Sequence, residues 1–168
     1  MSLPTLIERL TGKIARRALG SCASVGPGPR VSGRLWIHGE GEVRVGARVF
    51  FDATNAPIEL YPWPGAVIVF GDDVYVGGGT SIEATASIVF GDRVRIGSLC
   101  KIIDNHFHPL VGDRRARPEP EPVFVEHDVL LGPRSLVLAG ARIPAGARFG
   151  AGSIVKRGNS APSAVVIP

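Results

Sequence analysis

The residues best suited to chemistry crowd into one short stretch, "IIDNHFHPL" at 102–110, which holds Asp104, His106 and His108. Two of the chain's four histidines lie here. An unperturbed imidazole titrates at roughly 6.5, so it can take and return a proton near neutral pH. A carboxylate beside it can orient the ring or stabilise the imidazolium. In an extended segment alternate residues share a side, so 104, 106 and 108 point the same way. Geometry alone therefore leaves His106 and His108 as rival bases. The residues that follow, "VGDRRARPEPEP" at 111–122, are rich in charge and proline and have no apolar face. They read as a loop expelled from whatever regular structure precedes them. Arg114, Arg115 and Arg117 on that loop suit a phosphorylated or acidic acceptor.

The elements that must position these groups are written in a repeat. "IVFGDDVYVG" at 68–77 and "IVFGDRVRIG" at 88–97 match at seven of ten positions, and "VFVEHDVLLG" at 123–132 keeps the same pattern. Within each copy the period is six. Apolar residues lead hexads at Phe70, Val76 and Ile82, at Phe90, Ile96 and Ile102, and at Val125, Leu131, Val137, Ile143, Phe149 and Val155. A glycine often follows, where it is expected to tolerate the backbone angles of a corner, and the fifth position is small or β-branched. A helix, with its 3.6-residue period, cannot use a strict six; strands alternate by two, and a short strand plus a tight corner fits. Stacked coils would pair such strands in parallel and set equivalent residues in ladders through a narrow core. A sandwich with glycine turns would instead show irregular spacing and hairpin signals such as Asn-Gly, which this sequence lacks. The copies stand 20 residues apart from Ile68 to Ile88 but 35 from Ile88 to Val123. The excess falls just after the histidines. A second break is predicted at "NAPIELYPWPG", 55–65, where Pro57, Pro62 and Pro64 cannot donate to a ladder.

These hexads resemble the hexapeptide-repeat family of acyl-CoA-dependent acyltransferases, over about residues 35–168. The resemblance implies an all-β fold, a left-handed parallel β-helix of triangular section assembled as a homotrimer. It implies acetyl-CoA as acyl donor, with no metal. The family carries its catalytic histidine in a segment ending His-Pro and an aliphatic residue, here His108, Pro109 and Leu110, which implies His108 as general base with His106 and Asp104 beside it. The last coils resemble the family's coenzyme end. That resemblance implies a pantetheine arm running past Gly132, Pro133, Ala139, Ala151 and Ser153, and phosphates meeting Lys156 and Arg157. "D-x-x-x-H" before a loop resembles the branch that acetylates sugars of surface polysaccharides, so the implied acceptor is a sugar or nucleotide sugar. Leu130 stands where the family commonly has Trp. Where the family continues into a Gly-x-Pro segment and a terminal helix, this sequence reads "AVVIP".

The first twenty residues differ from the rest. Leu3, Leu6, Ile7, Leu10 and Ile14 recur at helical spacing, with Gly20 as a stop. Residues 1–20 are thus expected to be a short amphipathic helix capping the open first coil. Contact of its basic face with an anionic membrane surface is the less favoured use. Residues 21–168 form the β-helix domain, with a loop over 104–122.

The 168 residues are 45% hydrophobic and 20% charged, with formal net charge +4. Residues 1–48 carry eight basic and three acidic residues, 49–92 no Lys or Arg and six acids, and 93–168 eleven basic and six acidic. The basic last segment suits a polyanionic ligand, but without aromatic-rich basic motifs it does not point to nucleic acid. No apolar run reaches the length of a membrane span and no secretion signal is evident, so the expected location is cytoplasmic. Cys22 and Cys100 form no disulfide framework, and Cys100 occupies an apolar slot of the repeat. Two other functions suit such a fold. A γ-type carbonic anhydrase-like metalloenzyme needs three well-placed ligands; His127 fits, but Gly132 stands where a second histidine is needed. A non-catalytic assembly platform would not need the histidine segment or its loop.

Overall fold

The computed structural model describes residue 15, residues 17–106, residues 112, 113, 115 and 116, and residues 118–158. Each hexad is a short strand that buries its leading residue and then turns a corner. The strands stack in three faces, and every pair is parallel. The first face is a six-stranded sheet of β1 (Ser24–Val25), β3 (Glu42–Val45), β5 (Val67–Phe70), β8 (Ser87–Phe90), β11 (Val123–Val125) and β14 (Arg142–Ile143), in that order. The second face carries the starts of β2 (Arg30–Ile37) and β4 (Phe50–Pro62), then β6 (Tyr75–Gly77), β9 (Arg95–Ile96), β12 (Leu130–Leu131) and β15 (Arg148–Phe149). The third face carries the ends of β2 and β4, then β7 (Ser81–Ala84), β10 (Lys101–Ile103), β13 (Leu136–Val137) and β16 (Ile154–Val155). β4 bends round the edge between the second and third faces and joins them into one ten-stranded sheet.

The register is the one the repeat predicts. Ile68 pairs with Ile88 and Phe70 with Phe90; Ile88 then pairs with Val123 and Phe90 with Val125 across the longer gap. The extra residues leave the stack between β10 and β11. All twelve hexad leaders are buried, most of them completely. Each such burial contributes roughly 1.5–3 kcal/mol. Phe51, Phe70 and Phe90 form an aromatic ladder inside, with Phe70 and Phe90 stacked at 5.2 Å and Phe51 edge-on to Phe70 at 5.2 Å. Cys100 is buried as expected and its thiol lies 3.3 Å from the Gly132 carbonyl.

Two expectations are corrected. The proline-rich segment 55–65 does not interrupt the coil: β4 runs to Pro62, and Ile58 and Leu60 are fully buried. The irregularity is one bulge, where Gly33 faces Ala53 and Leu35 faces Ile58, leaving residues 54–57 outside the pairing. Pro57 sits in that bulge and Pro62 ends the strand, so their missing N–H groups break little. The corner glycines, in turn, are not all there for unusual backbone angles. A Cβ on Gly97 would stand 2.5 Å from the Pro133 nitrogen, and one on Gly132 2.5 Å from the Gly150 carbonyl carbon. They are glycine because successive coils touch there. Left-handed φ angles fall two residues later, on Asp73 (58°), Arg93 (57°), Leu99 (60°) and Arg134 (60°).

Most of the expected N-terminal helix, residues 1–14 and 16, lies outside the described residues. Ala15, Arg17 and Ala18 have helical conformation, and the Leu19 N–H donates to the Ala15 carbonyl at 2.9 Å. Ala15 and Leu19 are buried in the core. No helix among the described residues is complete enough to count as an element, and none is long and apolar enough to cross a membrane.

Candidate active site

The loop begins where β10 ends, at the edge between the third and first faces. Asp104 is fully buried there. Its Oδ1 accepts from the Thr85 N–H at 2.7 Å and the Thr85 hydroxyl at 2.9 Å, and its Oδ2 accepts from the Ala86 N–H at 2.7 Å. Asn105, also buried, donates from Nδ2 to Oδ1 at 3.4 Å. The carboxylate is thus bound to the corner of the preceding coil. His106 is exposed. His108, Arg114 and Arg117 lie outside the described residues. Arg115 is exposed, and its N–H donates to Asp113 Oδ1 at 2.9 Å.

The loop is closed at its neck. The Glu121 N–H donates to the Asp104 carbonyl at 2.7 Å, and the Gly140 N–H donates to the Glu121 carbonyl at 2.9 Å. The Glu121 carboxylate pairs with Arg157, across the corner at Gly140. Beside the loop root, the outer surface of the third face carries a polar chain: Trp63 Nε1 donates to Glu83 at 3.0 Å, and Lys101 Nζ reaches Glu83 at 3.4 Å and Ser81 at 3.0 Å.

The residues expected along the coenzyme fall on two different edges. Gly132, Pro133 and Ala151 lie on the edge between the second and third faces, layered so that the Gly152 N–H donates to the Pro133 carbonyl at 2.8 Å. Ser153 begins the third face and donates to the Gly150 carbonyl at 2.8 Å. Ala139, Lys156 and Arg157 lie on the edge that carries the loop. Pro133, Ala151, Lys156 and Arg157 are exposed, whereas Gly132 and Ala139 are buried. The N–H groups of Gly132, Gly140 and Gly152 all donate to neighbouring coils. An arm lying there would meet small side chains and gain none of those donors.

The remaining edge, between the first and second faces, carries charge pairs. Arg48 grips Asp73 with Nε at 2.7 Å and Nη2 at 2.6 Å, and Arg93 grips Asp128 at 2.7 and 2.8 Å. These bonds hold both carboxyls below their ordinary range; His127 Nδ1, 2.8 Å from Asp128, adds to the effect there. His127 is therefore a corner residue of this ladder. No group of three or more His, Cys, Asp or Glu among the described residues is placed to hold a metal.

The position before each hexad leader points outward, and this periodicity is the sequence signal for a feature that no local motif marks. On the second face it sets Arg30, Phe50, Tyr75, Arg95, Leu130 and Arg148 in one column.

No family model matches the chain, and no curated protein matches it. Solved structures do. A mutant of AntD, an N-acyltransferase from Bacillus cereus, in complex with dTDP-4-amino-4,6-dideoxyglucose and coenzyme A, is similar with TM-score 0.63 over 80% of this chain and 73% of that one, at 17% identity. A second AntD mutant, in complex with dTDP and coenzyme A, gives 0.60 over 84% and 76%, at 14% identity. The chain has the AntD fold. At this identity the likeness to AntD concerns the path of the coils, and the side chains described above are this chain's own.

Proposed function

We propose that the protein is an acyltransferase that moves an acetyl group from acetyl-CoA to a hydroxyl or amine of a small acceptor, a sugar or nucleotide sugar such as those of surface-polysaccharide synthesis. The observation that carries this reading is a histidine-bearing loop rooted by a buried carboxylate on the edge of an AntD-fold prism. The AntD structures hold coenzyme A, and one of them a dTDP-linked amino sugar, which supports the donor and the class of acceptor.

In this reading the His108 imidazole takes a proton from the acceptor as its oxygen or nitrogen attacks the thioester carbonyl. A backbone N–H faces the oxyanion. The tetrahedral intermediate then collapses, the carbon–sulfur bond breaks, and the coenzyme A thiolate leaves with the proton from the imidazolium. No covalent enzyme intermediate is needed. Asp104 acts through the backbone, holding the root of the loop whose sequence carries His106 and His108. Pro133, Ala151 and Ser153 flank the pantetheine arm over a tightly packed floor at Gly132; Ala139 lines the other edge, where Lys156, and Arg157 on exchanging its Glu121 partner, meet phosphates. Arg114, Arg115 and Arg117 hold an acidic acceptor. The working assembly is a homotrimer.

The test is thiol release from acetyl-CoA against a panel of sugars and nucleotide sugars. His108→Ala is expected to lose on the order of 10²–10⁴ in turnover with coenzyme A binding retained, and His106→Ala to lose little. Near-full turnover by His108→Ala rejects it as base, and a large loss in His106→Ala alone moves the role there.

A further inference from the structure

We infer that Arg95 and Arg148 form a diphosphate-binding site on the second face, on either side of Leu130. Arg95, Leu130 and Arg148 are in direct register on β9, β12 and β15. Neighbouring strands are about 4.8 Å apart, so the two arginines start roughly 10 Å from each other. Both are exposed. They rim an open depression of about 460 Å³ that also touches Asp73, Arg93, Asp128 and Val129.

These two guanidiniums are free of carboxylates among the described residues. Arg44, Arg48, Arg93 and Arg157 each hold a carboxylate. Arg95 and Arg148 have no carboxylate partner among the described residues; Arg95 leans over the Tyr75 ring, 5.8 Å from its centroid. The two acids in the depression are already paired in bidentate fashion. Both oxygens of Asp73 accept from Arg48, and both oxygens of Asp128 accept from Arg93. Tyr75, next in the column, is held by its hydroxyl to Asp52 at 3.1 Å. The depression therefore offers two planar forks above an apolar floor, with no internal anion left to claim them. Guanidinium forks bind phosphoryl oxygens in pairs, and two forks on long side chains rimming one depression can swing onto two linked phosphoryl groups. Arg134, on the adjoining edge, carries no carboxylate partner either.

A diphosphate reaches an enzyme of the proposed kind from two sources, the nucleotide of an activated sugar or the coenzyme; only this choice of sources rests on the acyltransferase reading. The experiment is calorimetric titration of the full chain with inorganic pyrophosphate, then with dTDP and with coenzyme A. Wild type is expected to bind pyrophosphate, and Arg95→Gln and Arg148→Gln each to weaken it at least tenfold. Arg44→Gln, on the first face, should change nothing. Arg148→Lys, which keeps the charge and loses the fork, should recover part of the affinity. Circular dichroism checks that the variants fold. Weakened dTDP binding assigns the site to the acceptor, and weakened coenzyme A binding assigns it to the donor. No pyrophosphate binding by wild type, or binding by the two glutamine variants as tight as that of wild type, overturns the site. Failure of the acyltransferase reading appears separately, as absence of thiol release by wild type, and leaves the pyrophosphate result standing.

Discussion

Thr85 and Ala86 present three hydrogen-bond donors to one buried carboxylate, and no other described group replaces it. Asp104→Ala would strand two backbone N–H groups and a hydroxyl, each costing about 1–3 kcal/mol when left unsatisfied. The expected result is a loss of at least 2 kcal/mol in urea unfolding, roughly the sum of two such penalties at the low end. Asp104→Asn should recover little of it, because an amide nitrogen would face a donor. A catalytic role confined to the imidazole would instead leave stability unchanged. The histidines stood out as candidates by type alone. The partner of Asp104 was not, because it lies 19 residues back and meets it only through coil stacking. The pairing of Arg95 with Arg148 was hidden for a related reason: Arg148 reads only as one of several basic residues in the last coils until the register aligns it with Arg95.

At the scale of elements, the repeat was readable because the core admits one side chain at each leading position, which forces the six-residue period. The stretch 55–65 was misread because a proline in a strand counts against it only where the N–H is needed. The Arg48–Asp73 and Arg93–Asp128 pairs run along an edge whose corner residues hold left-handed φ angles, and they tie successive coils together. Their carboxyls titrate lower in the folded protein than the roughly 3.9 of an unfolded aspartate. Their stabilisation is therefore complete above about pH 4 and disappears as pH falls through the folded values. A melting-temperature series should show an acid limb that is shallower in the Asp73→Asn/Asp128→Asn double variant. It should also be shallower for wild type in high salt, since the pairs are exposed. An unchanged acid limb would assign acid unfolding to other carboxylates.

For the whole molecule, the loop root and the Pro133–Ala151 strip occupy opposite edges of the third face. If both serve one reaction, an assembly of copies can bring the loop of one to the strip of another. Mixing His108→Ala with Ala151→Trp, each inactive alone, should then restore part of the wild-type thiol release in mixed oligomers. No recovery would mean that donor and base belong to the same copy. A last consequence comes from the neck, where the Glu121 N–H meets the Asp104 carbonyl. Strand pairing is in register on both sides of that bond, so the 16 residues between Asp104 and Glu121 do not set it. Doubling their number would raise the closure entropy by only about 0.6 kcal/mol. The prism is thus a fixed chassis, and the length of chain between Asp104 and Glu121 can change while every coil keeps its neighbour.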